Sequence, residues 1–296
     1  MVEVKIFNYD IVDYLKANKI SNVTLTFFDP PFNQGKDYKY FDDELTSKEY
    51  WNWIKIVLEG INRVTKDGGS IYFMQREKNA EWVLKYLRKT GWKIQNLIIW
   101  KKMASAVPGN MRFGKEYQII AFATKGPKPI IFNKLRIDVP VPSNWKQPRE
   151  KGVYVTDVWS DIRELTSGYL AGDEPLRDKQ GKRLHLQQSP IDLLLRIILS
   201  SSLPGDLVFD PCAGTGTTLV VAKQLERNAI GVEIDPNNVK LIEQRIKQLR
   251  PVDNVNTPER IKYYRFTEDL EKIWPAAEKL SLKRYGLFSG ESNEVF

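Results

Sequence analysis

The chain has 296 residues, 42% of them hydrophobic and 28% charged, which is the composition of a soluble globular protein able to bury one large or two modest cores. A single cysteine, Cys212, excludes an intramolecular disulfide, and with a single histidine, His185, it argues against a structural zinc site, so no metal is expected. The 45 Lys and Arg against 37 Asp and Glu leave a net charge of +8, which suits a polyanionic partner such as nucleic acid, although a merely soluble basic protein carries the same signature. "MVEVKIFNYD" lacks the apolar core and cleavage site of a signal peptide, and "IDLLLRIILSSSL" is interrupted by Asp192 and Arg196 and too short to span a bilayer. The expected compartment is the cytoplasm, with no membrane partner.

In chain order, short apolar runs of strand character recur: "VEVKIF", "VTLTFF", "GSIYFM", "KIQNLIIW", "YQIIAFA", "DLVFD" and "AIGVEI". Helical spacing separates several of them. In "TSKEYWNWIKIVLEGINRV", Trp53, Val57, Ile61 and Val64 fall on one face, Thr46 and Glu49 form a capping box, and "KDGG" closes the segment. A second helix is predicted to start at Ser189-Pro190, with the serine as its cap. A third starts at Asp235-Pro236, with Val239, Ile242, Ile246 and Leu249 as its inner stripe. Strands alternating with helices predict an α/β fold with a largely parallel sheet. From about Gly126 to Arg183 this rhythm stops. That stretch is rich in Pro and in cations, among them Lys125, Lys128, Lys134, Arg136, Lys146, Arg149 and Lys151. Beyond about Pro251 a strand-like "IKYYRF" precedes a tail with no assignable element.

Two motifs carry chemistry. In "LPGDLVFDPCAGTGTTLVVAKQL" a turn and a strand lead into a glycine loop and a helix. Gly214 and Gly216 permit a tight turn and a close approach to a ligand, and the helix opening at Thr217 and Thr218 presents free amides. The next strand ends at Glu233, nineteen residues after Gly214 (233 − 214), near the spacing of about 20 for an acid that accepts hydrogen bonds from ribose hydroxyls. No Gly-Lys-Ser/Thr follows and the third glycine of a dinucleotide fingerprint is missing. The pattern therefore fits a nucleoside without phosphates, of which S-adenosylmethionine is the obvious candidate.

The other motif is "FFDPPF" at the end of "VTLTFF". An exocyclic amino group on adenine or cytosine is a poor nucleophile because its lone pair is delocalised into the ring. Two acceptors gripping its N–H groups would draw that lone pair out of conjugation. Asp29 offers a carboxylate, Pro30 a carbonyl stiffened by the Pro30-Pro31 pair, and Phe32 a flat face for a stacked base.

"DPPF" followed by "FDPCAGTGTT" resembles the amino-group DNA methyltransferases acting on adenine N6 or cytosine N4, in the circularly permuted motif order of the β class. "KDGGSIYFM", "GKEYQIIAFATKG" and "HLQQSPIDLLLRIILSSSLPGD" resemble further segments of that family, over roughly Val4 to Leu249 apart from the insert. The resemblance implies a Rossmann-like α/β fold with a seven-stranded, mostly parallel sheet, "DLVFD" and "VTLTFF" at its centre and one antiparallel strand near an edge. It implies a catalytic half at 1–125, a target-recognition insert at 126–183, a cofactor-binding half at 184–250 and an unassigned extension at 251–296. Asp29, Pro30, Pro31 and Phe32 would be catalytic. Asp10, Ile11, Asp29, His185, Asp210, Pro211, Ala213, Gly214, Gly216, Thr217, Thr218, Glu233 and Ile234 would hold S-adenosylmethionine, with Asp10 at the adenine. In this chain Phe32 replaces the commoner Tyr, "HLQQSP" lacks a proline and a lysine of the family segment, and Asn8-Tyr9 replaces a glycine ahead of Asp10.

The implied partner is double-stranded DNA, with the target base flipped into the cleft and the loop "NQGKDYKYFDDE" against the backbone. A homodimer and a role in restriction-modification are compatible with the chain. Adenine N6 is the expected target and cytosine N4 the alternative. An RNA guanine methyltransferase, a nicotinamide oxidoreductase and a catalytically degenerate nucleic-acid-binding subunit are the remaining readings.

Overall fold

The computed structural model describes residues 2–17, 20–36, 38–102, 108–139, 151–165, 172–185 and 187–278. Lys146 and Arg149 of the basic stretch, Asp37, Leu186 and the tail from 279 onward lie outside the described residues.

All seven predicted strands form one sheet: β1 (Val4–Asn8), β2 (Val23–Phe28), β3 (Thr65–Arg76), β4 (Trp92–Lys101), β5 (Tyr117–Lys125), β9 (Leu207–Asp210) and β10 (Asn228–Glu233). The irregular stretch contributes β6 (Arg136–Ile137), β7 (Val153–Tyr154) and β8 (Val158–Trp159). β6 and β7 make a separate two-stranded ribbon, and β8 extends the main sheet to eight strands in the order β1-β10-β9-β2-β3-β5-β4-β8. Only β5 runs against its neighbours. β9 and β2 lie side by side and parallel at the centre. Every residue of β2 is buried, as expected of a strand covered on both faces.

Helices α1 (Ile11–Ala17), α2 (Ser47–Val64) and α3 (Ala80–Lys89) pack one face of the sheet, against Phe28, Ile71, Phe73 and Phe209. Helices α4 (Ile191–Ser201), α5 (Thr217–Gln224) and α6 (Pro236–Lys247) cover the other, against Leu25, Phe27 and Val208. The capping box on α2 is present, with the Glu49 amide bonded to Thr46 Oγ1 and the Thr46 amide to Glu49 Oε2. In α6, Ile242 is fully buried, but Leu249 falls beyond the helix end and is exposed; Arg245 takes the inward position.

Two local expectations are corrected. "IKYYRF" is not a strand: Thr257 accepts the Arg260 amide and Pro258 occupies the first turn, so the segment winds into α7 (Pro258–Tyr264), followed by α8 (Leu270–Ile273). The start signal outweighs the β propensity of two adjacent tyrosines. Ser189 does not cap α4 either. Pro190 is the cap residue, and the half-buried Glu174 reaches across with its carboxylate to accept the Ile191 amide at 2.6 Å.

The stretch from 126 onward is fastened into the main core. Leu135, Ile137, Trp159 and Ile162 are buried with α4, and Arg196 of α4 forks onto Asp161, with Nη1 at 2.9 Å from Oδ1.

Candidate active site

In open α/β sheets ligands bind at the carboxyl ends of strands where the winding reverses. Here the chain runs from β9 outward to β10 and from β2 outward to β3, so the crevice opens between the ends of β9 and β2. A cleft of about 280 Å³ lies there. It is lined by Asp10, Ile11, Asp29, Pro30, Pro31, Phe32, His185, Asp210, Pro211, Ala213, Gly214, Thr217, Thr218, Glu233 and Ile234, all predicted from sequence. Gly216 is the one predicted residue that does not line it.

The glycine loop is set by backbone conformation. Gly214 and Gly216 have φ of +52° and +75°, the left-handed region that favours glycine. At Gly214 a side chain would project beside the His185 imidazole; at Gly216 a Cβ would meet Ile242 at 2.8 Å. Gly214 thus keeps the cleft open, whereas Gly216 lets the loop pack on α6. The Gly214 amide donates to Glu233 Oε2 at 2.8 Å, while Glu233 Oε1 accepts from Asp235 N at 2.9 Å. Asp10 caps α1 by accepting the Val12 amide at 2.7 Å. His185 Nδ1 accepts the Gln187 amide, and burial lowers the ring's pKa, so the imidazole is neutral.

The acids of the cleft are crowded. Burial pushes the Asp29 carboxyl up to about 7, with Asp210 adding to the rise and a hydrogen bond from Ser189 opposing it. Asp210 is likewise pushed up to about 7 by burial, against hydrogen bonds from Thr218 and the Cys212 amide. Burial also raises Glu233 and the Cys212 thiol. Three carboxyls, those of Asp29, Asp210 and Glu233, thus share one cleft, with the Lys36 and Lys102 ammonium groups acting on Asp29 alone among them.

At the end of β2 the two prolines differ. The Pro31 carbonyl accepts from Tyr50 of α2 at 2.7 Å, and Gln75 in turn donates to the Tyr50 hydroxyl at 2.7 Å. This chain anchors the turn that follows Asp29. Phe32 is 4% exposed and forms part of the cleft wall.

The following loop is more ordered than its polar sequence suggests. The Asp43 carboxylate collects the amides of Asn33, Gln34 and Lys36 at 2.7, 3.0 and 3.0 Å. After Lys36, Tyr38, Lys39, Tyr40 and Phe41 line the cleft together with Trp53. Asp43 is a residue that sequence reasoning missed; three amides meeting one acid cannot be seen in a string. Ser189 and Lys102, both acting on Asp29, were missed as site residues for the same reason.

The family model described as DNA methylase matches residues 23–244. The chain belongs to this family. It is a methyltransferase, and the methyl donor of the family is S-adenosylmethionine. The methyltransferase is 30% identical over 261 residues to the type II methyltransferase M.HinfI of Haemophilus influenzae, covering 83% of this chain and 68% of that protein. It is 32% identical over 265 residues to the type II methyltransferase M1.MboII of Moraxella bovis (84% and 99%), and 30% identical over 249 residues to the DNA adenine methyltransferase YhdJ of Escherichia coli (80% of each). The fold matches the M1.HpyAVI–SAM complex with a TM-score of 0.53 at 22% identity (82% and 99% covered). It matches PvuII DNA methyltransferase, described as cytosine-N4-specific, at 0.62 and 17% (95% and 93% covered). Among the described residues of the methyltransferase, no helix is long and apolar enough to cross a membrane.

Proposed function

We propose that this DNA methyltransferase modifies the N6 amino group of adenine in double-stranded DNA, with Asp29, Pro30 and Phe32 acting on a flipped base. The observation that carries the reading is that Asp29 and Glu233 line one cleft although they come from opposite halves of the chain. The β2 motif precedes the β9 motif in sequence, which supports the permuted class.

The residues present fit S-adenosylmethionine. Glu233 offers a carboxylate for ribose hydroxyls, Asp10 and Ile11 flank the adenine end, and the acidic back wall suits a sulfonium cation. Gly214 supplies the side-chain-free approach. The cofactor brings an electrophilic methyl group to this wall. Asp29 accepts one N–H of the target amino group and the Pro30 carbonyl accepts the other, turning the nitrogen lone pair out of the ring plane. After methyl transfer, one proton leaves the nitrogen to Asp29 or to solvent. The gain comes from positioning and from acceptors fixed before reaction.

The test is to incubate the protein with DNA and methyl-labelled S-adenosylmethionine, digest to nucleosides and identify the labelled species. N6-methyladenine is expected. N4-methylcytosine would overturn the choice of base, and label in RNA alone would overturn DNA as substrate. No label in either would mean a binding subunit.

A further inference from the structure

The hairpin between β4 and β5 is not used by the cleft chemistry. β4 runs parallel to β2, since both β3, the parallel neighbour of β2, and β4 oppose β5. The end of β4 therefore lies on the same sheet edge as Asp29. Lys102, the residue after β4, closes the hairpin base, its amide donating to the Glu116 carbonyl at 2.6 Å. Its ammonium is close enough to Asp29 to act on that carboxyl.

On the described arm leading to Glu116, a turn is bridged between Gly109 and Arg112. Met111 is 97% exposed and Phe113 is 95% exposed, far more than any other large apolar residue described. Single exposed apolar residues need no explanation, but two bare side chains flanking an arginine on one turn leave roughly 1.5–3 kcal/mol each of burial unrealised. Lys101 pairs with Glu116 and Lys115 with Glu77, whereas Arg112 makes no ion pair among the described residues. Phe113 is three residues from Glu116, so at about 3.3 Å per residue the turn stands within about 10 Å of the hairpin base.

We propose that the turn from Gly109 to Phe113 is a wedge for duplex DNA. Met111 and Phe113 fill the gap left in the stack when the target base turns out, and Arg112 grips the neighbouring phosphate. The reading rests on the substrate proposed above. Its chemistry is that of apolar side chains inserted between base steps beside backbone-binding cations. A base leaving the stack exposes two flat apolar faces, and the turn offers two apolar side chains at the edge where the base must arrive.

The double variant Met111→Ser/Phe113→Ser tests this, and since both side chains are exposed its thermal midpoint should match the wild type. Affinity is measured by fluorescence anisotropy for a duplex carrying one abasic site and for the same duplex intact. The wild type should prefer the gapped duplex by about tenfold, the scale of one buried apolar side chain, and the variant should bind both alike. A wild type without preference, or a variant that keeps it, would overturn the proposal. On duplexes carrying the target base, the variant's methyl transfer should fall on a matched target pair and recover when the target faces a mismatch; equal loss on both would also overturn it. If the wild type prefers the gap yet transfers no methyl group, the wedge stands and the catalytic reading falls.

Discussion

Ser189 Oγ donates a hydrogen bond of 3.0 Å to Asp29 Oδ2, joining the start of α4 to the end of β2 across 160 residues of chain. It ties down Oδ2, which leaves Oδ1 for the acceptor role proposed for Asp29. The groups acting on Asp29 are this hydroxyl, the Asp210 carboxyl, and the Lys36 and Lys102 ammonium groups.

Because burial holds Asp29 at about 7, and the ionised form is the one that accepts N–H groups, kcat/KM should rise with pH through about 7. The Ser189 bond lowers that value, so in Ser189→Ala the acid limb of the pH–rate profile should move to higher pH, and Ser189→Thr should restore it. A profile that keeps its midpoint while falling uniformly would remove Ser189 from the positioning of Asp29.

Asp29 and Asp210 are both held near 7, and a bound sulfonium cation favours their ionised forms. Affinity for S-adenosylmethionine should therefore increase as pH rises from about 6 to 8, with protons released on binding. Calorimetry in two buffers of different ionisation enthalpy reads the release directly. Asp210→Asn should reduce it.

Glu233 keeps its side chain in place through the amides of Gly214 and Asp235. Glu233→Ala removes the proposed ribose acceptor and the partner of the Gly214 amide. Hydrogen bonds to a charged group are worth about 1.5–3 kcal/mol each, so cofactor affinity should drop at least tenfold. Equilibrium dialysis with labelled cofactor measures this, and unchanged affinity would move the ribose elsewhere.

The two glycines of the loop should separate on substitution. At Gly216 an added Cβ meets Cγ1 and Cγ2 of Ile242 at 2.8 Å, whereas at Gly214 the nearest atom, His185 Cε1, lies at 3.6 Å. Positive-φ strain at either site is about 1 kcal/mol or more, and overpacking adds about 1–3 kcal/mol at Gly216 alone. Gly216→Ala should lower the thermal midpoint more, and Gly214→Ala should weaken cofactor binding more.

Asp253, 0% exposed, takes both arms of the Arg245 guanidinium at 2.8 Å, and Arg245 also donates to the Thr215 carbonyl at 2.9 Å. Asp253→Ala strands a buried cation and should cost about 3–5 kcal/mol. Chemical denaturation measures the loss.

The sequence by itself determined the strands, the glycine loop and the acid nineteen residues beyond it, because hydrophobic period, glycine and proline act within a few residues of the chain. It also placed Asp29 directly after a buried strand, the position on which its proposed role rests. Only the tertiary structure decided which side chains meet. The pairing of Ser189 with Asp29 joins segments whose distance in space is set by sheet order, while Asp43 and Glu174 reach their amides through the folding of the loops between them. No local pattern announces these bonds, unlike the capping box at Thr46 and Glu49. The helix at "IKYYRF" lies between the two cases, since its cap at Thr257 was visible but its tyrosines pointed the other way.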